Sequence, residues 1–231
     1  MERVLIRFAK EDLVRFIGHL DLMRMLERAI RRAHFPVAYS QGFNPRPRMA
    51  SASALTLGAT SDWELCQLEL ERDVADEELV SAVQRLRTQL PRGLRVLAVW
   101  PLPVEKKNPY LQVRSAGYRL SFKGAGEEPD ARRSVEEVIS GTAVELDELA
   151  VASGDLHLKL TVPVGDHGGV RIRELVASLE AKPSVGRLTG LHRHRLWCEQ
   201  DPETISISLA REQIGPSAAI ETGAPAASGV G

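Results

Sequence analysis

The sequence predicts an α+β fold built from two successive βαββαβ units. Three observations carry this. Stretches with period-two alternation of apolar residues and stretches with a 3.6-residue period follow one another as strand, helix, strand, strand, helix, strand. A proline-rich stretch comes next. The same order then begins again. With 231 residues, 43% of them hydrophobic and 26% charged, the chain has the apolar content of an ordinary globular protein and room for two small cores.

Arg3–Ala9 predicts a strand with Val4, Ile6 and Phe8 on one face. Glu11–Ala33 predicts mainly helix. On a helical wheel Leu22, Met23, Met25, Leu26, Ala29, Ile30 and Ala33 cover one side, and Arg24, Arg28, Arg31 and Arg32 cover the other. Pro36 stops the helix, because proline lacks the N–H that a further turn needs. Ser40–Pro47 predicts a turn-rich loop fixed by one glycine and two prolines. Met49–Leu57 predicts a strand ending at Gly58, and Trp63–Arg72 alternates Leu68 and Leu70 with Glu69 and Glu71. Asp76–Leu90 predicts a helix with Leu79, Val80, Val83, Leu86 and Leu90 inward, closed by Pro91-Arg92-Gly93. Leu94–Trp100 predicts the next strand.

That order over residues 1–103 is the split βαβ, or ferredoxin-like, arrangement. Pro101 to Ser115 hold three prolines and Lys106-Lys107, which predicts a linker at 104–116. Residues 117–200 predict the second unit: strand Gly117–Lys123, helix Pro129–Ser140, strands Val144–Ala152 and Asp155–Pro163 around Ser153-Gly154, helix Arg171–Leu179, and strand Leu188–Glu199. The Ala/Gly/Ser/Pro-rich residues 215–231 predict a disordered tail.

The net charge of -1 conceals an asymmetry. The first fifty residues hold ten Lys/Arg against five Asp/Glu, a local charge of +5, and the remainder carries the opposing acidity. No apolar run approaches the ~20 residues of a membrane span, and Met1–Arg7 is too short and too charged for a signal peptide. Cys66 and Cys198 are far apart and unpatterned, which fits two core thiols in a reducing cytoplasm.

The segment from His19 to Gly58 concentrates the candidate chemistry. Glu27 is the only acid among the five charged residues from Arg24 to Arg32, whereas a merely solvated helix face usually mixes signs. Arginines spaced by four and three residues can track a phosphate backbone. In the loop, Gly42, Asn44, Pro45 and Pro47 set the backbone. Arg46 and Arg48, at alternate positions, point the same way in an extended chain. Phe43 and Tyr39 are placed to stack on an unpaired base or to brace the loop. Arg24, Arg28, Arg31, Arg32, Arg46 and Arg48 are the expected phosphate contacts. His19 is a candidate general acid or base, or a plain helix-start residue, and Asp21 an anchor for Arg24 or the loop.

Elsewhere, His192 and His194 share one face of an expected strand, with Arg193 and Arg195 on the other. Two His at this spacing can ligate a metal, but no third ligand is evident, so no metal and no cofactor are expected. Asp166-His167-Gly168-Gly169, ahead of a helix, offers backbone amides to an anion. The sequence has no Gly-x-x-x-x-Gly-Lys-Ser/Thr loop and no clustered cysteines.

His19-Leu20-Asp21-Leu22-Met23-Arg24, Arg31-Arg32-Ala33 and Tyr39-Ser40-Gln41-Gly42-Phe43-Asn44-Pro45 resemble a radical-SAM-linked bacterial family of unknown function. The resemblance implies a partner of the B12-binding radical SAM type, encoded beside the chain or fused to it, and no established activity. Two residues depart from the family pattern: Gly18 stands where a Ser is usual, and Arg46 where a His is usual. Arg46 retains a cationic donor but removes a ligand, which favours charge recognition over metal binding there. The tandem units with a His near the first helix also resemble the Cas6-type CRISPR RNA endonucleases, at the level of fold alone. The sequence, with this resemblance, therefore predicts a non-catalytic accessory protein that binds transfer or ribosomal RNA and acts with a radical SAM enzyme. Its alternatives are a protein-interaction module and a metal-independent endonuclease using His19.

Overall fold

The structure, a computed structural model, describes residues 3–102, 109–165 and 170–204. Eight strands form one mixed sheet: β1 Arg3–Lys10, β2 Met49–Ser51, β3 Thr60–Glu69, β4 Leu94–Leu102, β5 Val113–Lys123, β6 Glu145–Ala152, β7 Asp155–Pro163 and β8 Arg187–Cys198. Four helices accompany it: α1 His19–Arg32, α2 Asp76–Gln89, α3 Glu128–Ile139 and α4 Ile172–Glu180. The strand order is β4-β1-β3-β8-β5-β7-β6, with β2 also on β3. The first half of the chain thus runs β4-β1-β3-β2 and the second half β8-β5-β7-β6. The halves join where β8 lies parallel to β3, pairing Thr60 with His192 and Ser61 with Arg193.

Two cores follow from strand alternation. Val4, Ile6 and Phe8 of β1, with Cys66 and Leu68 of β3, pack under Leu22, Leu26 and Ile30 of α1 and Leu79, Val83 and Leu86 of α2. Leu5 points the other way. It joins Trp63, Leu65 and Trp100 in a second core that continues through Tyr118, Leu120 and Phe122 of β5 to Val135 of α3 and Leu175 and Leu179 of α4. Burying apolar side chains of this size contributes about 1.5–3 kcal/mol each.

Four expectations are corrected. The helix expected from Glu11 is broken. Asp12–Phe16 is a 3-10 turn, Ile17 is extended, and α1 starts at His19 after Gly18. The cause is Lys10, whose Nζ donates to the carbonyls of Ile17 at 2.8 Å and Arg15 at 3.4 Å, occupying acceptors that a continuous helix would use. The strand expected at Met49–Leu57 ends at Ser51. Ala52 N–H still donates to the Leu65 carbonyl at 3.1 Å, the chain then leaves the sheet, and Gly58 N–H donates to the Arg15 carbonyl at 2.9 Å. β5 begins at Val113, inside the expected linker, because Val113 pairs with Cys198. Finally, Arg193 and Arg195 do not share a face: a bulge in β8 sets Arg193 opposite Tyr118 but Arg195 opposite the adjacent Gly117. The Asp166–Gly169 amides, residues 104–108 of the expected linker and the expected tail lie outside the described residues.

Cys66 is buried and Cys198 half-buried, and neither forms a disulfide. Burial pushes the Cys66 thiol up to about 12 and the Cys198 thiol up to about 11. A thiol-specific reagent at pH 7 is expected to label the native protein on the order of a hundredfold more slowly than free cysteine, because the thiolate is the nucleophile. Labelling of both thiols at the free-cysteine rate before unfolding would contradict this burial.

Candidate nucleic-acid interface

The predicted helix face and loop form one surface. Arg24, Arg28 and Arg31 run along the exposed side of α1, opposite buried Leu22, Leu26 and Ile30. At the far end of the helix an Arg31 guanidinium nitrogen donates to the Pro45 carbonyl at 2.9 Å, which fastens the helix to the loop. Arg31 also lies 5.8 Å from the Tyr39 ring centre. The loop is a closed hairpin. Ser40 N–H donates to the Arg46 carbonyl at 2.8 Å, Arg46 N–H to Ser40 Oγ at 3.1 Å, and Tyr39 bridges Pro47. Arg48 N–H then donates to the Ala38 carbonyl at 2.7 Å.

Gly42 has φ +123°, a conformation that side chains rarely adopt, and it turns the tip outward. Phe43 beside it is fully exposed at 106%. An aromatic ring with no apolar contact at the tip of a pinned hairpin has no packing role in this chain. Asn44 and Pro45 are exposed, whereas Pro47 is buried.

The six arginines divide by what they already hold. Arg24 pairs with Asp21 at 3.1 Å and Arg48 with Glu69 at 3.1 Å. Arg32 donates to the Gln89 carbonyl at 2.9 Å and the Gln89 side chain at 3.2 Å, closing the end of α2. Arg31 holds the loop. Among the described residues the side chains of Arg28 and Arg46 are exposed and make no hydrogen bond or ion pair, so their guanidinium donors face solvent. His19 is half-exposed at the first residue of α1, and its imidazole likewise makes no hydrogen bond among the described residues.

Sequence reasoning missed a second basic surface on the C-terminal half. Cross-strand pairing sets Lys159 opposite Arg119 and Arg119 opposite His192. One step along, His157 faces Ser121, and Ser121 faces Gly190; Ser121 Oγ lies 3.1 Å from His157 Nδ1. Lys123 faces Arg187 beyond them. Their signal was present as polar residues alternating with buried Leu120, Phe122, Leu156, Leu158 and Leu160. His192 Nδ1 lies 2.9 Å from Thr60 Oγ1, and its Nε2 stands 3.6 Å from Asp62 Oδ1. Burial opposes ionisation of Asp62, but His192, Arg7 and Arg119 outweigh it and hold its pKa below the usual value. Burial, then the charges of Arg119 and Lys159, push His194 below its usual value, so it is neutral at pH 7. Among the described residues no group of His, Cys, Asp and Glu is arranged to hold a metal ion.

Residues 3–189 match a family described as an uncharacterized protein conserved in bacteria (DUF2344). No curated protein matches the chain. Among solved structures, the chain is similar to one in an archaeal box H/ACA sRNP Nop10-Cbf5 complex, with 12% identity, TM-score 0.43, and coverage of 84% of this chain and 47% of that one. A chain of an H/ACA RNP bound to a substrate RNA gives 11% identity, TM-score 0.44, and coverage of 84% and 47%. The present chain therefore spans about half the length of these neighbours. The first two RRM domains of yeast poly(U) binding protein give 10% identity, TM-score 0.23, and coverage of 82% and 98%.

Proposed function

We propose that this chain, which belongs to the bacterial DUF2344 family, binds RNA without cleaving it, through the α1 arginine face and the Phe43 hairpin. The carrying observation is the juxtaposition at the hairpin: a fully exposed Phe43, with the guanidinium groups of Arg28 and Arg46 lacking partners among the described residues, on a loop locked to α1 through Arg31. Phe43 supplies a stacking face for an unpaired base. Arg28 and Arg46 supply phosphate contacts, with Arg24 available by exchange of its exposed partner Asp21 and Arg48 by exchange of the half-buried Glu69. The two halves are read as tandem ferredoxin-like units on their shared strand order. The family resemblance noted above adds a B12-binding radical SAM enzyme as the partner that would act on the bound RNA, in the cytoplasm. Docking of this same face on that enzyme is the second reading. Exposed Leu13 and Leu20, near the start of α1, favour it.

Filter binding of bulk tRNA and of a short single-stranded RNA across a salt series tests the proposal. The Arg28→Ala/Arg46→Ala double variant is expected to flatten the slope of log affinity against log salt by about 1.5, from two lost phosphate contacts. Phe43→Ala is expected to weaken single-strand binding roughly tenfold, the loss of one stacked base. Affinity that ignores salt, or that neither variant changes, would overturn it.

A further inference from the structure

Where the halves meet, the 3-10 turn and the loop before β3 overhang the basic face of β5 and β8. They enclose a cleft of about 570 Å³. That is the size range of small-ligand sites, about 300–1,000 Å³. Arg15, Phe16, Leu57 and Thr60 line it from the N-terminal half, and Arg119 and His192 from the C-terminal half. No carboxylate is among its lining residues.

Three features set this cleft apart from an ordinary seam. First, its floor gathers basic side chains. Like charges directly opposite one another across strands cost stability, yet Arg119 stands directly opposite Lys159, with His192 on its other side, and Lys123 lies between Arg187 and Asp155 nearby. Lys159 is answered by Glu148 at 3.2 Å, whereas the Arg119 side chain makes no direct ion pair or hydrogen bond among the described residues, and the carboxylate whose charge it feels, Asp62, stands 3.6 Å from His192 Nε2. Second, its rim is apolar and exposed: Phe16 is 56% and Leu57 62% accessible, and the Arg15 guanidinium lies 4.7 Å from the Phe16 ring centre. A flat ring backed by a cation, beside an aliphatic side chain, is a platform for a planar heterocycle. Third, Gly190 on the floor carries no side chain, which leaves the Ser121 hydroxyl, already bonded to His157, uncovered from that side.

We propose that the cleft binds a nucleoside phosphate unit. The phosphate sits at Arg119 and His192, and the base lies on Phe16 and Leu57. The site is distinct from the hairpin surface: Arg15 and Phe16 precede α1, and the hairpin meets its other end. A helix of that length separates them by ~20 Å. The same chemistry is offered by a free mononucleotide and by a nucleotide within an RNA strand, and both probes are therefore needed.

The test is titration of the full chain with 5′-AMP, with inorganic phosphate and with a five-nucleotide single-stranded RNA. Arg119→Ala and Phe16→Ala alter exposed side chains, and thermal melts would verify that both variants fold. Phe16→Ala is expected to weaken 5′-AMP or RNA binding roughly tenfold while leaving binding of inorganic phosphate unchanged. Arg119→Ala is expected to weaken all three, and Arg119→Lys to recover part of the loss. Arg119-dependent binding of 5′-AMP identifies a mononucleotide site; Arg119-dependent binding of the pentanucleotide alone identifies a strand site, and either supports the proposal. Failure of wild type to bind any of the probes at millimolar concentration, or unchanged binding in both variants, would overturn it. The Arg28→Ala/Arg46→Ala variant separates the two surfaces, since it leaves 5′-AMP binding intact if the cleft stands on its own.

Discussion

Glu64→Ala is expected to destabilise the fold by about 3–5 kcal/mol, and Arg193→Ala by somewhat less, because each leaves a charge buried without its partner. Arg193 is 1% and Glu64 3% exposed. The guanidinium donates to Glu64 Oε1 from Nε at 3.1 Å and from a terminal nitrogen at 2.5 Å, and to Ser53 Oγ at 2.9 Å. The pair spans the junction, with Glu64 on β3, Arg193 on β8 and Ser53 on the loop between β2 and β3. Lys10, also buried, belongs to the same group through its charge interaction with Glu64. Two cations therefore share one carboxylate. Removing Glu64 strands both, whereas removing Arg193 leaves Lys10 and Glu64 together. An apolar replacement of both partners, Glu64→Leu with Arg193→Met, is expected to recover most of the loss.

Burial pushes the Lys10 pKa below its usual value, and Glu64 opposes that shift. A buried ammonium with a depressed pKa makes the fold gain stability as pH rises from its folded value toward 10.5. Without Glu64 that depression deepens. The deficit of Glu64→Ala is therefore expected to shrink between pH 7 and pH 9.5. Urea unfolding at both pH values measures it. Single variants within ~1 kcal/mol of wild type, the net worth of one ordinary hydrogen bond, would show that the cluster is solvated in solution.

Periodicity exposed most of the fold, and its failures share a cause. Strands such as Asp155–Pro163 and helices such as α2 lie within one or two residues of their sequence expectation because a single apolar face sets each of them. The helix break at Ile17-Gly18 depends instead on Lys10, a residue of the preceding strand that turns back to take two carbonyls. No local pattern encodes that. The bulge in β8 is equally tertiary. Leu188, Arg193 and Leu196 keep no constant period, and only the pairing with β5 decides which of Arg193 and Arg195 goes inward. The hairpin was legible because Gly42, Pro45 and Pro47 fix backbone geometry locally. Arg48 and Arg32 looked equivalent to Arg28 and Arg46 in sequence. Their occupation by Glu69 and Gln89 comes from elements 21 and 57 residues away along the chain. The cleft was invisible for a related reason: its lining comes from four separate stretches, each ordinary alone.

Trp63→Ala is expected to cost about 3–5 kcal/mol, the range for truncating a buried aromatic, and to release the segment after β8. Trp63 is buried on β3, with the guanidinium carbons of Arg7 and Arg195 each 4.0 Å from its ring centre. Those two arginines converge on Glu203, at 3.3 Å and 3.0 Å, and Arg195 also pairs with Asp201. The indole thus separates two like charges and gives both a polarisable face, while the acidic segment neutralises them. Removing the ring opens a cavity beside Leu5 and Leu65 in the second core. It also exposes two guanidinium groups to mutual repulsion, and only half-exposed carboxylates then hold them. Trp63→Phe keeps a ring and is expected to retain more than half of the stability. Denaturant unfolding reads the loss, and limited proteolysis reads the release, as faster cleavage within residues 199–204. Stability of Trp63→Ala within ~1 kcal/mol of wild type, below the cost of any large-to-small change in a core that cannot collapse, would mean that the arginine pair, and not the indole, anchors the C-terminal segment to the sheet.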